Sequence, residues 1–383
     1  MRMACTPFQI QVPEEVLSDL KQRLARTRWP DELPDAAWDY GTNLAYLRQL
    51  IAYWHDQYDW RAQERLLNAF PQFTTEIGGV HLHFLHVKGK GTQSIPLLIS
   101  HGWPGSFFEM YKIIGPLADP ASYGGDPIDA FDVVVPSLPG YGFSGSTHVR
   151  GVTVIRIAEI FVSLMQELGY QRFATQGSDW GLHITRMLGR NFAERIIGIH
   201  LSMQPSRAVL SQEATNEEER RWLQQRASWL WEESGYSHLH TTRPQTLAYG
   251  LNDSPVGLAG WIVEKFRAWS DCHGEVESVF TKDELLTNVM IYWVTQTINS
   301  STRLYYETAH QHDDLFAGRA EVPTGAAVFP DELPIPPRSL VERLYNIQRW
   351  TEMKAGGHFA ALEQPQALVE DIRAFFRPLR EAM

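Results

Sequence analysis

The chain has 383 residues, 44% of them hydrophobic and 21% charged, with a formal net charge of −11. Such acidity argues against a nucleic-acid or anionic-membrane partner. Its two cysteines, Cys5 and Cys272, do not suggest a disulfide framework and fit a reducing compartment. The opening MRMACTPFQI lacks the apolar core of a signal peptide, and no run of about 18 apolar residues could span a bilayer, so a soluble, cytoplasmic protein is expected.

Residues 1–90 read as a first unit. Pro13 opens a helix with Leu17, Leu20 and Leu24 on one face, and the stretch from Pro30 to Asp35 breaks it. A second helix runs through Tyr46, Leu47, Leu50, Ile51 and Trp54. Gly78-Gly79 turns one strand into another, where Val80, Leu82 and Phe84 alternate with His81 and His83. The alternation predicts that both histidines face solvent. Residues 88–92 form a loop entering the core.

Residues 91–205 alternate strand and helix patterns, which implies a mainly parallel sheet. The apolar run from Ser94 to Ser100 predicts a buried strand ending in His101-Gly102-Trp103-Pro104-Gly105. A second buried strand, Phe131 to Val135, leads into the loop PSLPGYGFS at 136–144. Loops after such strands border the site in open α/β sheets. A helix from Val154 stops at Gly169. Next comes a short strand from Arg172 to Gln176, the turn Gly177-Ser178-Asp179-Trp180-Gly181, and a helix from Leu182. Strand, tight turn and helix make the nucleophile elbow of an α/β-hydrolase. Centred on Ser178, the elbow would need glycines where Gln176 and Trp180 stand. Centred on Asp179, the glycines fall correctly at 177 and 181. A carboxylate nucleophile forms an alkyl ester and suits attack on an sp3 carbon such as that of an epoxide or alkyl halide. An Asp at a strand–helix turn also reads as a simple helix cap. The residue after the nucleophile and the loop after the earlier strand supply the oxyanion hole of this fold, so the main-chain N–H groups of Trp103 and Trp180 are the candidate donors.

Residues 206–320 change to helices and loops and read as a lid inserted above the sheet. The run from Glu217 to Arg221 predicts a solvated helix face. Aromatics are frequent here, including Tyr236, Trp261, Trp269, Tyr292 and Tyr305. The core resumes over 321–383. A strand from Thr324 to Phe329 ends at Pro330-Asp331-Glu332, and another from Ile347 to Met353 runs into Gly356-Gly357-His358. A His on a Gly-rich loop after the last strand is where this fold places its base, and a carboxylate at the earlier strand end can orient it. Asp179, Glu332 and His358 then follow the nucleophile–acid–base order of the fold. No HExxH or CxxC motif is present, and neither a metal nor an organic cofactor is expected.

The chain resembles the microsomal-type epoxide hydrolase family in a soluble, bacterial-type form. The resemblance spans nearly the whole length. It is carried by Pro7-Phe8, Tyr53-Trp54 and Asp59-Trp60, by HGWPGSF at 101–107, PSLPGYGFS at 136–144 and the GSDWG elbow. It continues in LNDSPVGLA at 251–259, LLTNVMIYW at 285–293, Phe329-Pro330 and GGHFAALE at 356–363. It implies an α/β-hydrolase fold with a helical lid insertion and an N-terminal meander domain. It implies Asp179 as nucleophile, His358 as base, Glu332 as acid, and Tyr236 and Tyr305 as lid tyrosines that protonate the ring oxygen. Asp331 beside Glu332 and Tyr306 beside Tyr305 leave each of those two assignments a competitor. The expected partner is a small epoxide, apolar or aryl, met in detoxification or secondary metabolism, and a homodimer is compatible. A haloalkane dehalogenase would share the nucleophile but often has Asn where Trp103 stands and needs no tyrosine pair. A non-catalytic ligand-binding relative would usually lack part of the catalytic set.

Overall fold

The computed structural model describes residues 5–202, 212–311, 318–332 and 334–380. The expected boundary between core and lid at 205–206 lies outside the described residues. Among the described residues nine strands form one sheet: β1 (Thr6–Phe8), β2 (Gln72–Ile77), β3 (Val80–Val87), β4 (Ile95–Ser100), β5 (Phe131–Pro136), β6 (Phe173–Gly177), β7 (Ile196–Leu201), β8 (Ala320–Val328) and β9 (Tyr345–Glu352). Their order is β1-β2-β3-β5-β4-β6-β7-β8-β9. The first three are antiparallel to their neighbours, and Gly78 and Gly79, both at positive φ, close the tight hairpin between β2 and β3. The six from β5 to β9 run parallel. Strands β6 and β7 are buried along their whole length, as expected of parallel strands covered on both faces.

From β4 the chain moves first to β5 on one side and then to β6 on the other. The loops after β4 and β6 therefore diverge at a topological switch point, the crevice where this class of sheet binds ligands. Between β7 and β8 the described residues form six α-helices: Glu217–Glu233, Gly235–Thr242, Pro244–Asp253, Pro255–Ala268, Lys282–Thr295 and Ile298–Ala309. Side chains of this insertion tie it to the strand-end loops. Asn288 donates to the Pro104 carbonyl at 2.8 Å, Tyr292 to Gly105 at 2.6 Å and Ser300 to Gly140 at 2.6 Å. The insertion thus covers the crevice.

Two expectations fail on burial. His83 does not face solvent. It is fully buried among the rings of Phe8, Phe107 and Phe143, with Nδ1 at 2.9 Å from Ser137 and Nε2 at 2.9 Å from Gln72. Strand β3 pairs on both edges and is covered on both faces at this point, so alternation does not separate inside from outside. Glu219, inside the charged run, is likewise fully buried. It accepts from Arg343 at 2.7 Å and Ser339 at 2.7 Å and ties the lid to the later half of the core. The rest of that run, Glu217, Glu218, Arg220 and Arg221, is exposed as expected.

Candidate active site

Asp179 stands between β6 and the helix Trp180–Asn191, with φ +50° and ψ −122°. For a residue with a Cβ this is a strained turn. Its side chain does not cap the helix, so the capping explanation fails. The glycines on either side have steric causes. A Cβ at Gly177 would meet the Gly181 carbonyl, and one at Gly181 would meet the carbonyl of Ser100 at the end of β4. Gly102 is needed for the same reason, since a Cβ there would collide with the Asp179 carboxylate.

Asp179 Oδ1 accepts from the main-chain N–H of Trp103 at 2.8 Å, and the N–H of Trp180 also acts on the carboxylate. Burial raises the Asp179 pKa, against the lowering effect of His358 and the two N–H groups. His358 follows β9 and is 3% exposed. Its Nδ1 lies 2.9 Å from Glu332 Oε1, and its Nε2 lies 3.6 Å from Asp179 Oδ2. Burial alone would lower its pKa. The charge and hydrogen bond of Glu332, then the charges of Asp179 and Glu109, outweigh burial and push it up to about 9. Asp331 is exposed and turns its carboxyl to Asp271, while its backbone bridges Gly357. Glu332 is the carboxylate that meets the imidazole.

Tyr236 and Tyr305 come from two lid helices that pack together, and their ring centroids lie 6.1 Å apart. Tyr236 stacks on Trp103 at 5.1 Å, and Tyr305 meets Trp180 edge-on at 4.7 Å. Both rings therefore sit on the residues that present main-chain N–H groups to Asp179. Burial, then Tyr236 and Asp179, raise the Tyr305 pKa well above the ordinary value, so its phenol stays protonated. Tyr306 is 37% exposed and stacks on His310 instead.

Three site residues carry no sequence signal strong enough to single them out. Glu109 is buried, and burial pushes its pKa up to about 8. A side chain at Gly105 would occupy the place of its carboxyl. Tyr141, inside the PSLPGYGFS loop, is fully buried with its hydroxyl unbonded. His240 packs against Trp103, Tyr236 and Tyr305. Their roles depend on contacts between distant segments that periodicity does not encode. Among the described residues no three His, Cys, Asp or Glu side chains converge as a metal site.

Fold and site together define an α/β-hydrolase whose elbow presents a carboxylate in place of a hydroxyl. The family model of the alpha/beta hydrolase fold matches residues 95–244, and that of the epoxide hydrolase N terminus matches residues 5–110. A relative from Stigmatella aurantiaca (strain DW4/3-1) is 43% identical, over 98% of this chain and 85% of its own length. Epoxide hydrolase 1 of Oryctolagus cuniculus is 39% identical over 96% of this chain and 88% of its own. The crystal structure of juvenile hormone epoxide hydrolase from the silkworm Bombyx mori is similar with a TM-score of 0.90. It is 32% identical and covers 99% of this chain and 96% of that one. The chain belongs to the epoxide hydrolase family. Among its described residues no helix is long and apolar enough to cross a membrane.

Proposed function

We propose that the chain hydrolyses epoxides to vicinal diols through a covalent ester on Asp179. The observation that carries this reading is the Asp179 carboxylate itself. It is lifted from its helix by a strained turn, held by the Trp103 N–H and aligned with the His358–Glu332 pair. Asp179 attacks one epoxide carbon, and the C–O bond opposite breaks. Tyr236 or Tyr305 donates its proton to the oxygen as negative charge develops there. His358, oriented by Glu332, then takes a proton from water, and the hydroxide attacks the ester carbonyl. The N–H groups of Trp103 and Trp180 stabilise the tetrahedral oxyanion. On collapse the leaving alkoxide takes the acid proton left on Asp179, and the proton held by His358 returns to the tyrosinate, so the diol leaves and the carboxylate, imidazole and phenol are all restored, with no metal or organic cofactor required. The rings of Trp103, Tyr236, Trp269 and Tyr305 support an apolar or aryl substituent on the substrate. The paired phenols favour epoxide opening over halide displacement, which needs no proton donor.

The test is a single turnover with excess enzyme in water enriched in heavy oxygen. The first diol should carry no label, and the label should appear in Asp179. A fully labelled first diol would mean direct attack by water and would end this reading.

A further inference from the structure

His240 lies one helical turn after Tyr236 on the helix Gly235–Thr242, so both side chains share one face. It has no exposed surface. Its imidazole stands 4.7 Å from the Trp103 ring at 80°, 4.9 Å from Tyr305 at 74° and 5.5 Å from Tyr236 at 84°. These three partners also touch one another, at 5.1 to 6.1 Å. His240 therefore completes a closed cluster in which every pair of rings is in contact. Two members are the lid phenols. The third carries the main-chain N–H that binds Asp179.

The orientation of His240 is fixed from outside the cluster. The Trp261 indole N–H, on the helix Pro255–Ala268, reaches His240 Nε2 at 3.3 Å. An indole N–H only donates, so Nε2 must accept. The proton of the neutral ring is then on Nδ1, which is buried without a hydrogen-bond partner. Burial, then the charge of Lys265, lowers the His240 pKa to about 3, so the ring stays neutral. Rotation of an imidazole about its terminal bond is otherwise soft. Trp261 itself lines a surface groove of about 940 Å3 between the N-terminal unit and the lid, so this contact connects the cluster to the lid exterior.

We infer that His240 is the positioning residue that holds the phenols of Tyr236 and Tyr305 at a fixed separation against the Trp103 loop. The inference rests on the epoxide-opening reading above. The phenols stand on different helices, while the oxygen they must meet is placed by in-line attack from Asp179. A side chain in contact with both phenols and with the Asp179 loop is the direct means of keeping these distances matched. A preorganised donor is worth far more than one that must first be oriented.

The test separates alkylation from ester hydrolysis by pre-steady-state kinetics with excess enzyme. His240→Gln can still accept from Trp261 but lacks the ring. It should slow alkylation about tenfold, within the roughly 10²-fold that a 1 Å misplacement costs. Ester hydrolysis, which needs no phenol, should stay within about twofold of the native rate, well under the roughly 10²-fold effect of losing a catalytic proton transfer. Trp261→Phe keeps an aromatic ring but removes the N–H, and it should give a smaller loss confined to the same step. In the His240→Gln background, Tyr236→Phe should cost less than it does in the native chain, because a misplaced donor has less to lose. A purely structural histidine would slow both steps alike and leave the two costs additive, and either result overturns the inference. If His240→Gln does not fold, Trp261→Phe decides by the same criterion. Tyr236→Phe and Tyr305→Phe run in the same assay keep the two levels apart. Loss of neither phenol slowing alkylation refutes the epoxide-opening reading, whereas slowing by the phenols but not by His240→Gln refutes only the positioning role.

Discussion

At the scale of single residues, the site is a problem of three charges in a dry place. Asp179 and Glu332 flank one imidazole, at 3.6 and 2.9 Å. A raised pKa means that His358 holds its proton up to about 9 while both carboxylates are charged. On the proposed mechanism, alkylation turns Asp179 into a neutral ester and removes one of the charges that keep the proton on. His358 becomes a base at the step that needs one. Ester hydrolysis should therefore rise with pH and level off, with a midpoint below the value of about 9 that belongs to the free enzyme. Glu332→Gln removes a further raising charge, so the midpoint should move down again. The plateau should fall by roughly 10²- to 10⁴-fold, because the imidazole loses its orienting partner. Asp331→Asn should leave both nearly unchanged, since that carboxyl faces Asp271. Stopped-flow measurement of ester decay across pH checks this. A larger effect from Asp331→Asn than from Glu332→Gln would reverse the assignment.

At the scale of elements, the loop carrying His358 is stitched to the lid rather than left free. The Trp269 carbonyl accepts from the His358 N–H at 2.8 Å, and Phe266 stacks on Phe359 at 4.0 Å. Glu363 gathers three main-chain N–H groups, from Asp271 at 2.9 Å, Gly357 at 3.0 Å and Phe359 at 2.8 Å. Burial raises its pKa to about 7, against these three donors. Both its oxygens accept, so Glu363→Gln must turn an NH2 group toward at least one N–H. A lower denaturant midpoint is expected, equivalent to about 1–3 kcal/mol for an unsatisfied buried donor, together with slower ester hydrolysis. A native midpoint would show that the staple carries no weight. The elements themselves were largely legible in sequence. Strands β4 and β5 are short apolar runs, the turn after β6 gives that strand away, and the glycines at 102, 177 and 181 mark where backbone and carboxylate come close. Strand β3 misled because its alternation is real while its burial is two-sided. Glu219 misled because its partners Ser339 and Arg343 lie more than a hundred residues away. His240 gave no signal at all, since its meaning lies in rings borne by three other segments. Local pattern reports periodicity and turn chemistry, and it is silent on which distant side chains will meet.

At the scale of the whole molecule, the proposed mechanism divides the chemistry between layers. Asp179, Trp103, Glu332 and His358 belong to the sheet's strand-end loops, whereas Tyr236 and Tyr305 belong to the insertion. The N-terminal unit braces that insertion from the other side. Tyr53 donates to Asp283 at 2.9 Å, Tyr58 pairs with Thr287 at 3.0 Å, and Thr42 donates to the Gly260 carbonyl at 2.7 Å. Two of these bonds fall on the helix Lys282–Thr295, whose Asn288 and Tyr292 grip Pro104 and Gly105 on its opposite side. That helix is clamped between the N-terminal unit and the loop that presents Trp103. Loosening the outer brace should therefore shift the phenols relative to Asp179 and leave the strand-end set intact. The double variant Tyr53→Phe/Tyr58→Phe removes two hydroxyls that touch no reacting group. It should lower stability by about 1–3 kcal/mol, the sum of two modest hydrogen bonds. On the proposed mechanism it should also slow alkylation more than ester hydrolysis, although both residues belong to a unit that carries none of the chemistry. Single-turnover traces at a temperature where the variant is fully folded separate the two rates. Equal slowing of both steps, or slowing of hydrolysis alone, would show that the N-terminal unit does not act through the lid.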